Sequence, residues 1–253
     1  ILSSNLVQNG DFSEEGVEEV SNGSFSQEGA ELVTNGSFDT DSDWVKTSQV
    51  TIENGIANIV SNDGSFQVLV QNNVVTTGKY YVLTYTIVSS NSGSLKFSSL
   101  GQINSTIGTH KIYFVATETA INIARNSGIT DISIDNVSVR EVGQDWVLGT
   151  GWSIGDGVAN YDGLQAYQQL RQGTVNGVIG KNYLVKYTVS DNNGVGGIQV
   201  KFGGVNLSSY NSSNGSFEFY VQAISTDYIR LTPELDFNGS ITNISVKEVG
   251  QNW

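Results

Sequence analysis

The chain repeats itself over two distances, and this restricts the folds that it can adopt. Three tetrapeptides of the form Asn-Gly-x-Phe, at Asn9–Phe12, Asn22–Phe25 and Asn35–Phe38, recur at an interval of 13 residues. Over a longer distance, residues 132–146 align without a gap on residues 239–253, a spacing of 107 residues, and both copies end in Glu-Val-Gly-Gln-x-Trp. Arrays of this kind usually extend, display or bind rather than catalyse.

Within the larger repeat, alternation of apolar and polar residues is the main local pattern. It places Tyr81, Leu83, Tyr85 and Ile87 on one face of a strand, and the segment 183–189 repeats the pattern. The parity of the apolar positions shifts around Asn136 and Asn243, which indicates a β-bulge in the closing strand of each copy. With 29 glycines and one proline, many short strands joined by tight turns are expected. The predicted fold is all-β, with tandem antiparallel β-sandwich (jelly-roll) modules.

The repeats predict three parts: a repetitive strand and turn segment at 1–31, module one at 32–144 and module two at 145–253. Each 13-residue unit has too few apolar side chains to fold alone. Two arrangements are open: a homotrimeric stalk, or strand addition to the edge of a neighbouring sandwich. We expect Phe12, Phe25 and Phe38 to be buried between chains or against the first sandwich. Because Met is absent, we also expect a piece of a longer protein, in which Trp253 would open a third module.

Charge excludes one class of partner. The formal net charge is −13, and residues 1–44 hold ten carboxylates and no Lys or Arg, so this stretch contributes −10. A polyanion such as nucleic acid would be repelled by such a chain. No apolar stretch of 18 residues is present, so no membrane insertion is predicted.

The sequence offers little for catalysis. It contains no Cys and a single histidine, His110, which excludes histidine-based triads and multi-histidine metal centres within this segment. The carboxylates outside the acidic stretch include no pair that the sequence places across a cleft, as glycoside hydrolysis requires. We therefore expect a non-enzymatic protein that requires no cofactor.

Aromatic residues are the candidate binding groups. Trp44, Trp146 and Trp253 recur at module junctions, and this regularity favours a packing role. Aromatic faces stack on sugar rings while amides hold the hydroxyls. The alternative is that half-buried aromatic residues of β modules belong to the core. The candidate carbohydrate-binding residues, whose aromatic members lack aromatic counterparts in module one, are Trp152, Tyr161, Tyr167, Gln165, Gln168 and Tyr210.

Two segments carry a resemblance to known families. The opening segment Leu32–Asp39, followed about 100 residues later by the closing strand Ile134–Val139, resembles the carbohydrate-binding-module jelly-roll family. The wider pattern of tandem Asn-Gly-x-Phe units and the closing Trp is similar to modules of bacteriophage tail and virion-surface proteins. The resemblance implies a structural calcium in module one, at Asp39 and Asp135. Module two departs from the pattern, because Thr242 replaces the acidic residue and no Asn-Gly-x-Phe unit follows Trp146.

These features predict a structural and adhesion protein of the virion surface, a tail fibre or capsid decoration in the extracellular space. Its expected partners are further copies of itself in a homotrimer, other virion proteins and host cell-surface glycans. Two alternatives remain open. One is a carbohydrate-binding array of a secreted polysaccharide-degrading enzyme, and the other is a cell-surface filament subunit that polymerises by strand exchange.

Overall fold

The computed structural model describes residues 14–251, and its regular structure is entirely β. The first ten strands are β1 (Glu15–Glu18), β2 (Glu28–Glu31), β3 (Val45–Lys46), β4 (Val50–Glu53), β5 (Ile56–Ser61), β6 (Val68–Gln71), β7 (Tyr80–Phe97), β8 (Gly101–Gln102), β9 (Gly108–Val115) and β10 (Ile121–Val142). The other ten are β11 (Val147–Leu148), β12 (Trp152–Gly155), β13 (Val158–Asp162), β14 (Leu170–Asn176), β15 (Asn182–Ser190), β16 (Ile198–Phe202), β17 (Val205–Asn206), β18 (Gly215–Gln222), β19 (Tyr228–Pro233) and β20 (Asn238–Val249). Over this range no helix is long and apolar enough to cross a membrane.

The chain divides into two compact units, but not at the predicted boundaries. One unit, here called the continuous unit, is residues 28–142. The other, the split unit, combines residues up to Gln27 with those from Gly143 onward, of which 14–27 and 143–251 are described. The described part of the predicted separate segment 1–31 is therefore shared between the two units. The reason is that β1 pairs with β20, whereas β2 pairs with β10.

Both units are antiparallel β-sandwiches with the same strand order. The split unit has one sheet ordered β12-β13-β20-β15-β18, with β1 added beside β20, and a second ordered β11-β14-β19-β16-β17. The continuous unit repeats these two orders. One is β4-β5-β10-β7-β9, with β2 added beside β10, and the other is β3-β6-β10-β7-β8. There β7 and β10 are long enough to pair with strands of both layers. Their mutual register shifts near Gly93 and Gly128, which have φ of +79° and +69°.

The predicted strand faces and bulges are confirmed. Tyr81, Leu83, Tyr85 and Ile87 are all at most 1% exposed. Two residues of β10, Asn136 and Val137, oppose one residue of β7, and two residues of β20, Asn243 and Ile244, oppose one residue of β15. Both asparagines have a left-handed backbone, with φ of +51° and +52°. Asparagine tolerates this region better than other side chains with a Cβ, so the residue type fits the bulge.

The acidic N-terminal stretch is paired with basic residues of the sandwiches. In the split unit, Glu15 lies 2.9 Å from Lys247 and 3.3 Å from Lys186. In the continuous unit, Glu28 lies 2.9 Å from Lys111. Hydrogen bonds from Lys247 and Lys186 lower the pKa of Glu15. The negative charge of the repeats therefore complements the modules that they join.

Candidate functional site

Each Asn-Gly-Ser-Phe unit within the described range packs against the tryptophan that precedes its own sandwich. Phe25 lies against Trp146 with ring centroids 5.2 Å apart, and Phe38 lies against Trp44 at 5.4 Å. Both phenylalanines and both tryptophans are buried, in line with the packing role expected for the tryptophans. Phe25 thus lies in the split unit rather than against the first sandwich. Phe12 and Trp253 lie outside the described residues.

We call the groups that receive such a unit its socket. In the split unit the socket consists of Trp146, Gln172 and the β20 residues Ile244–Val246, which begin within the bulge. The amide of Gln172, itself 1% exposed, accepts from Ser21 N at 2.8 Å and donates to Ser21 O at 2.9 Å. The bulge residue Ile244 donates its N–H to Gly23 O at 3.0 Å. Gln71 and Thr34 repeat this pairing in the continuous unit. Module two has no Asn-Gly-x-Phe unit after Trp146, and the earlier unit Asn22–Phe25 takes that place in its sandwich.

The two predicted metal residues each accept a hydrogen bond from a residue close by in the sequence. Asp39 accepts a hydrogen bond from Ser37 at 2.7 Å, and Asp135 accepts from the backbone N–H of Asn136 at 2.6 Å. Within residues 14–251 no group of three or more His, Cys, Asp or Glu side chains is arranged to hold a metal ion. Since calcium takes six to eight oxygens, backbone carbonyls would have to supply most of its ligands, and calcium in module one stays a prediction.

The titratable groups have structural partners. His110 places Nε2 2.7 Å from the carbonyl oxygen of Thr106 and packs on Tyr85. Among the described carboxylates, those whose pKa moves are all lowered. Hydrogen bonds from Ser65 lower the pKa of Asp63 to about 2, for example. A general acid needs a raised carboxyl pKa, so none of these three carboxylates suits that role.

Two of the predicted carbohydrate-binding residues belong to the core. Trp152 and Tyr161 are each 2% exposed, and their ring centroids lie 4.9 Å apart. The Trp152 indole donates to Gln168 O at 2.7 Å, and the Tyr161 hydroxyl donates to Gln165 O at 2.6 Å. This corrects the predicted sugar contact, because neither ring has a free face. Their polar ends instead hold the loop that follows β13.

That loop presents an exposed aromatic residue. Tyr167 is 66% exposed and has a φ of +63°, and its N–H donates to Pro233 O at 2.8 Å. A bulky residue in the left-handed region is strained, and such strain is concentrated at functional sites. Tyr210 is half-buried nearby: burial raises its pKa, and the proximity of Tyr167 and Glu234 raises it further. Gln165 on the same loop is exposed, whereas Gln168 is half-buried.

We call this surface of the split unit the aromatic loop face. It consists of Leu164, Gln165, Tyr167, Tyr210 and Glu234. Leu164 is 76% exposed, so the face combines apolar and ring surfaces with amide, hydroxyl and carboxylate groups. The structure thus brings Tyr167 and Tyr210 together across 43 positions of sequence. Sequence reasoning missed Glu234, because nothing in its local pattern shows that the β19 turn reaches this loop.

The continuous unit carries an open groove that the sequence analysis also missed. Its volume is about 550 Å³, within the range of ligand pockets. Phe66, 55% exposed, forms one wall, with the Lys96 ammonium 5.6 Å from its ring centroid. The remaining lining residues are Val68, Val70, Phe97, Ser98, Gly101, Asn122 and Ala124. The outward valines of β6 were a usable signal, since a solvent-facing strand position is usually polar.

Comparisons with solved structures find matches at low sequence identity and low TM-score. A tandem CBM22-1–CBM22-2 domain of Xyn10C from Paenibacillus barcinonensis matches over 88% of this chain and 98% of its own, with 10% identity and a TM-score of 0.34. A fucolectin from striped bass (Morone saxatilis) serum matches over 94% of this chain and 98% of its own, with 11% identity and a TM-score of 0.27. No protein-family model and no curated protein matches the sequence. With TM-scores this low, these similarities do not identify the function of the chain.

Proposed function

We propose that the protein is a non-enzymatic adhesion module that binds saccharide at the aromatic loop face. The observation that carries the proposal is the exposed ring of Tyr167, held at a positive φ beside Tyr210 and Glu234. Two tyrosine rings offer faces for stacking on the apolar side of a sugar. The side chains of Gln165 and Glu234 offer hydrogen-bond partners for hydroxyl groups.

The test is a glycan array with the labelled full chain, followed by calorimetric titration of the best ligand. Tyr167→Gly is the most informative variant, because glycine relieves the positive φ while it removes the ring. We expect this variant and Tyr210→Ala to weaken binding by about 10-fold or more, as for anchoring tyrosines at other interfaces. Tyr220→Ala is the matched control, since Tyr220 is 71% exposed on β18 and does not belong to the face.

The groove of the continuous unit is the competing location, and Phe66→Ala separates the two. If the Phe66 variant loses binding while Tyr167→Gly retains it, the saccharide site lies in the groove and our assignment is wrong. If no glycan on the array binds, the adhesion proposal itself fails.

For the whole chain we propose a place on a virion surface, with glycan recognition as its contact with a host. Tandem sandwiches and repeated Asn-Gly-x-Phe units support this role, because repeat arrays present binding surfaces at a distance from their anchor. The alternatives predicted from the sequence, an enzyme-linked carbohydrate-binding array and a filament subunit, are separated by immunogold labelling. Label on particles supports the proposal, whereas label on free enzyme or on filaments contradicts it.

A further inference from the structure

The split unit is completed by a segment that is separated from the rest of that unit, in the sequence, by another folded unit. Residues 14–27 belong to this unit, but the chain then forms the whole continuous unit, residues 28–142, before the rest of the split unit begins at Gly143. The segment is therefore held in its socket by non-covalent contacts and not by a local hairpin. A segment joined to its site in this way behaves as a ligand with a tether.

The contacts are specific and dense. Glu18 accepts three hydrogen bonds: from Ser245 Oγ at 2.5 Å, from Val246 N at 2.8 Å and from its own neighbour Val20 at 3.0 Å. Gly23 fits so tightly that a Cβ there would lie 1.9 Å from Ile244 O. With Phe25 on Trp146 and Ser21 on Gln172, these contacts define a peptide-binding site for a strand and the turn that follows it, with the order Glu-x-Val-x-Asn-Gly-Ser-Phe.

The connection between the two units is short. Phe25, 2% exposed, is fixed in the split unit at a φ of +53°, and β2 of the continuous unit begins at Glu28. Only Ser26 and Gln27 lie between them. Short hinges next to a strained residue favour exchange of the attached element between copies.

We propose that the socket of the split unit also accepts residues 14–27 of a second copy of the chain, so that copies assemble by exchanging this segment. Every contact described above forms equally well when donor and socket belong to different copies, because none depends on the Gln27–Glu28 link. The ion pairs of Glu15 with Lys186 and Lys247 add charge complementarity between donor and socket. The continuous unit does not exchange in this way, because its own segment and socket lie within one unbroken stretch.

The chain contains no Cys, so engineered disulfides report the pairing directly. Glu15 and Val249 are Cα partners across β1 and β20. One full-length batch carries Glu15→Cys and another carries Val249→Cys. The two are mixed, unfolded, refolded together at increasing concentration and oxidised. We expect a heterodimer joined between positions 15 and 249, identified by peptide mass, at a yield that rises with concentration.

The matched control uses Glu28→Cys with Val142→Cys, which are Cα partners in the continuous unit. We expect the exchange pair to give at least 10-fold more heterodimer than this control. The double variant Glu15→Cys/Val249→Cys shows whether the two positions accept a disulfide. If it cross-links internally while the mixture stays at the control level, the proposal is overturned.

A measurement without cysteines decides the same question. Light scattering of the unmodified chain, refolded at the highest concentration, should give at least twice the monomer mass. A monomer mass at every concentration would also overturn the proposal.

Discussion

The indole of Trp146 donates a hydrogen bond of 3.1 Å to the carbonyl oxygen of Asn22, which precedes it by 124 residues. Trp44 makes the same bond to Asn35 O at 3.0 Å, across only nine residues. One local interaction and one distant interaction thus have the same geometry. The two Asn-Gly-Ser-Phe units therefore make the same contact with tryptophan whether that tryptophan is near or far in the sequence.

Gly23→Ala and Gly36→Ala should destabilise different units. In each case a Cβ would lie 1.9 Å from a bulge carbonyl, that of Ile244 or of Val137. We expect a loss of about 3 kcal/mol or more, at the upper end for overpacking. Calorimetry should show two transitions, of which Gly23→Ala lowers one and Gly36→Ala the other. Gly173→Ala is the control, because a Cβ at Gly173 meets nothing within 4 Å.

Phe25→Ala should destabilise the split unit by about 3–5 kcal/mol, the usual cost of truncating a buried phenylalanine. Phe25 is 2% exposed, whereas Val17 in the same segment is 78% exposed. Val17→Ala should therefore change the free energy of unfolding by less than about 0.5 kcal/mol. Denaturant unfolding of the full chain measures both. Equal effects of the two substitutions would contradict the contact with Trp146.

Glu18→Ala should cost the split unit about 1–2 kcal/mol, because the backbone N–H of Val246 and the hydroxyl of Ser245 lose their acceptor. Glu19, its neighbour, is exposed, and only its backbone N–H is bonded to the sandwich, at Val246 O. Glu19→Ala serves as the charge-matched control in the same unfolding experiment. A destabilisation by Glu19→Ala as large as that by Glu18→Ala would point to net charge instead of the hydrogen bonds.

Acid should destabilise the continuous unit through Glu31. Burial raises the pKa of this carboxyl, but hydrogen bonds from Ser138, Val33 and Val139, with the charge of Arg140, outweigh burial and lower it. Because the folded pKa lies below the ordinary value of 4.5, the stabilisation is present above that pH and is lost as the pH falls through the folded pKa. Thermal melts between about pH 7 and pH 3 should show this loss, and Glu31→Gln should reduce the slope.

Much of the fold could be predicted because its signals are local. Alternation placed Tyr85 in the core, and the parity shift at Asn243 located a bulge. The partner of Phe25 could not be predicted, because two tryptophans present equivalent sockets and no local pattern chooses between them. The predicted carbohydrate-binding residues were partly wrong for a different reason, because the sequence does not show which aromatic residues are buried. Trp152 is a core residue whose indole holds a loop carbonyl, while the same loop presents Tyr167, and spacing alone does not distinguish these roles.

The order of the segments has a consequence for synthesis on the ribosome. Residues 28–38 meet their socket as soon as β10 has emerged, but residues 15–25, although made earlier, must wait until β20 is complete. The continuous unit is therefore complete before the split unit, although the segment that completes the split unit is synthesised first. Throughout this delay the acidic segment lacks its pairing partner, β20. Its carboxylates then act against premature β-pairing, because like charges on neighbouring chains keep unpaired edges apart.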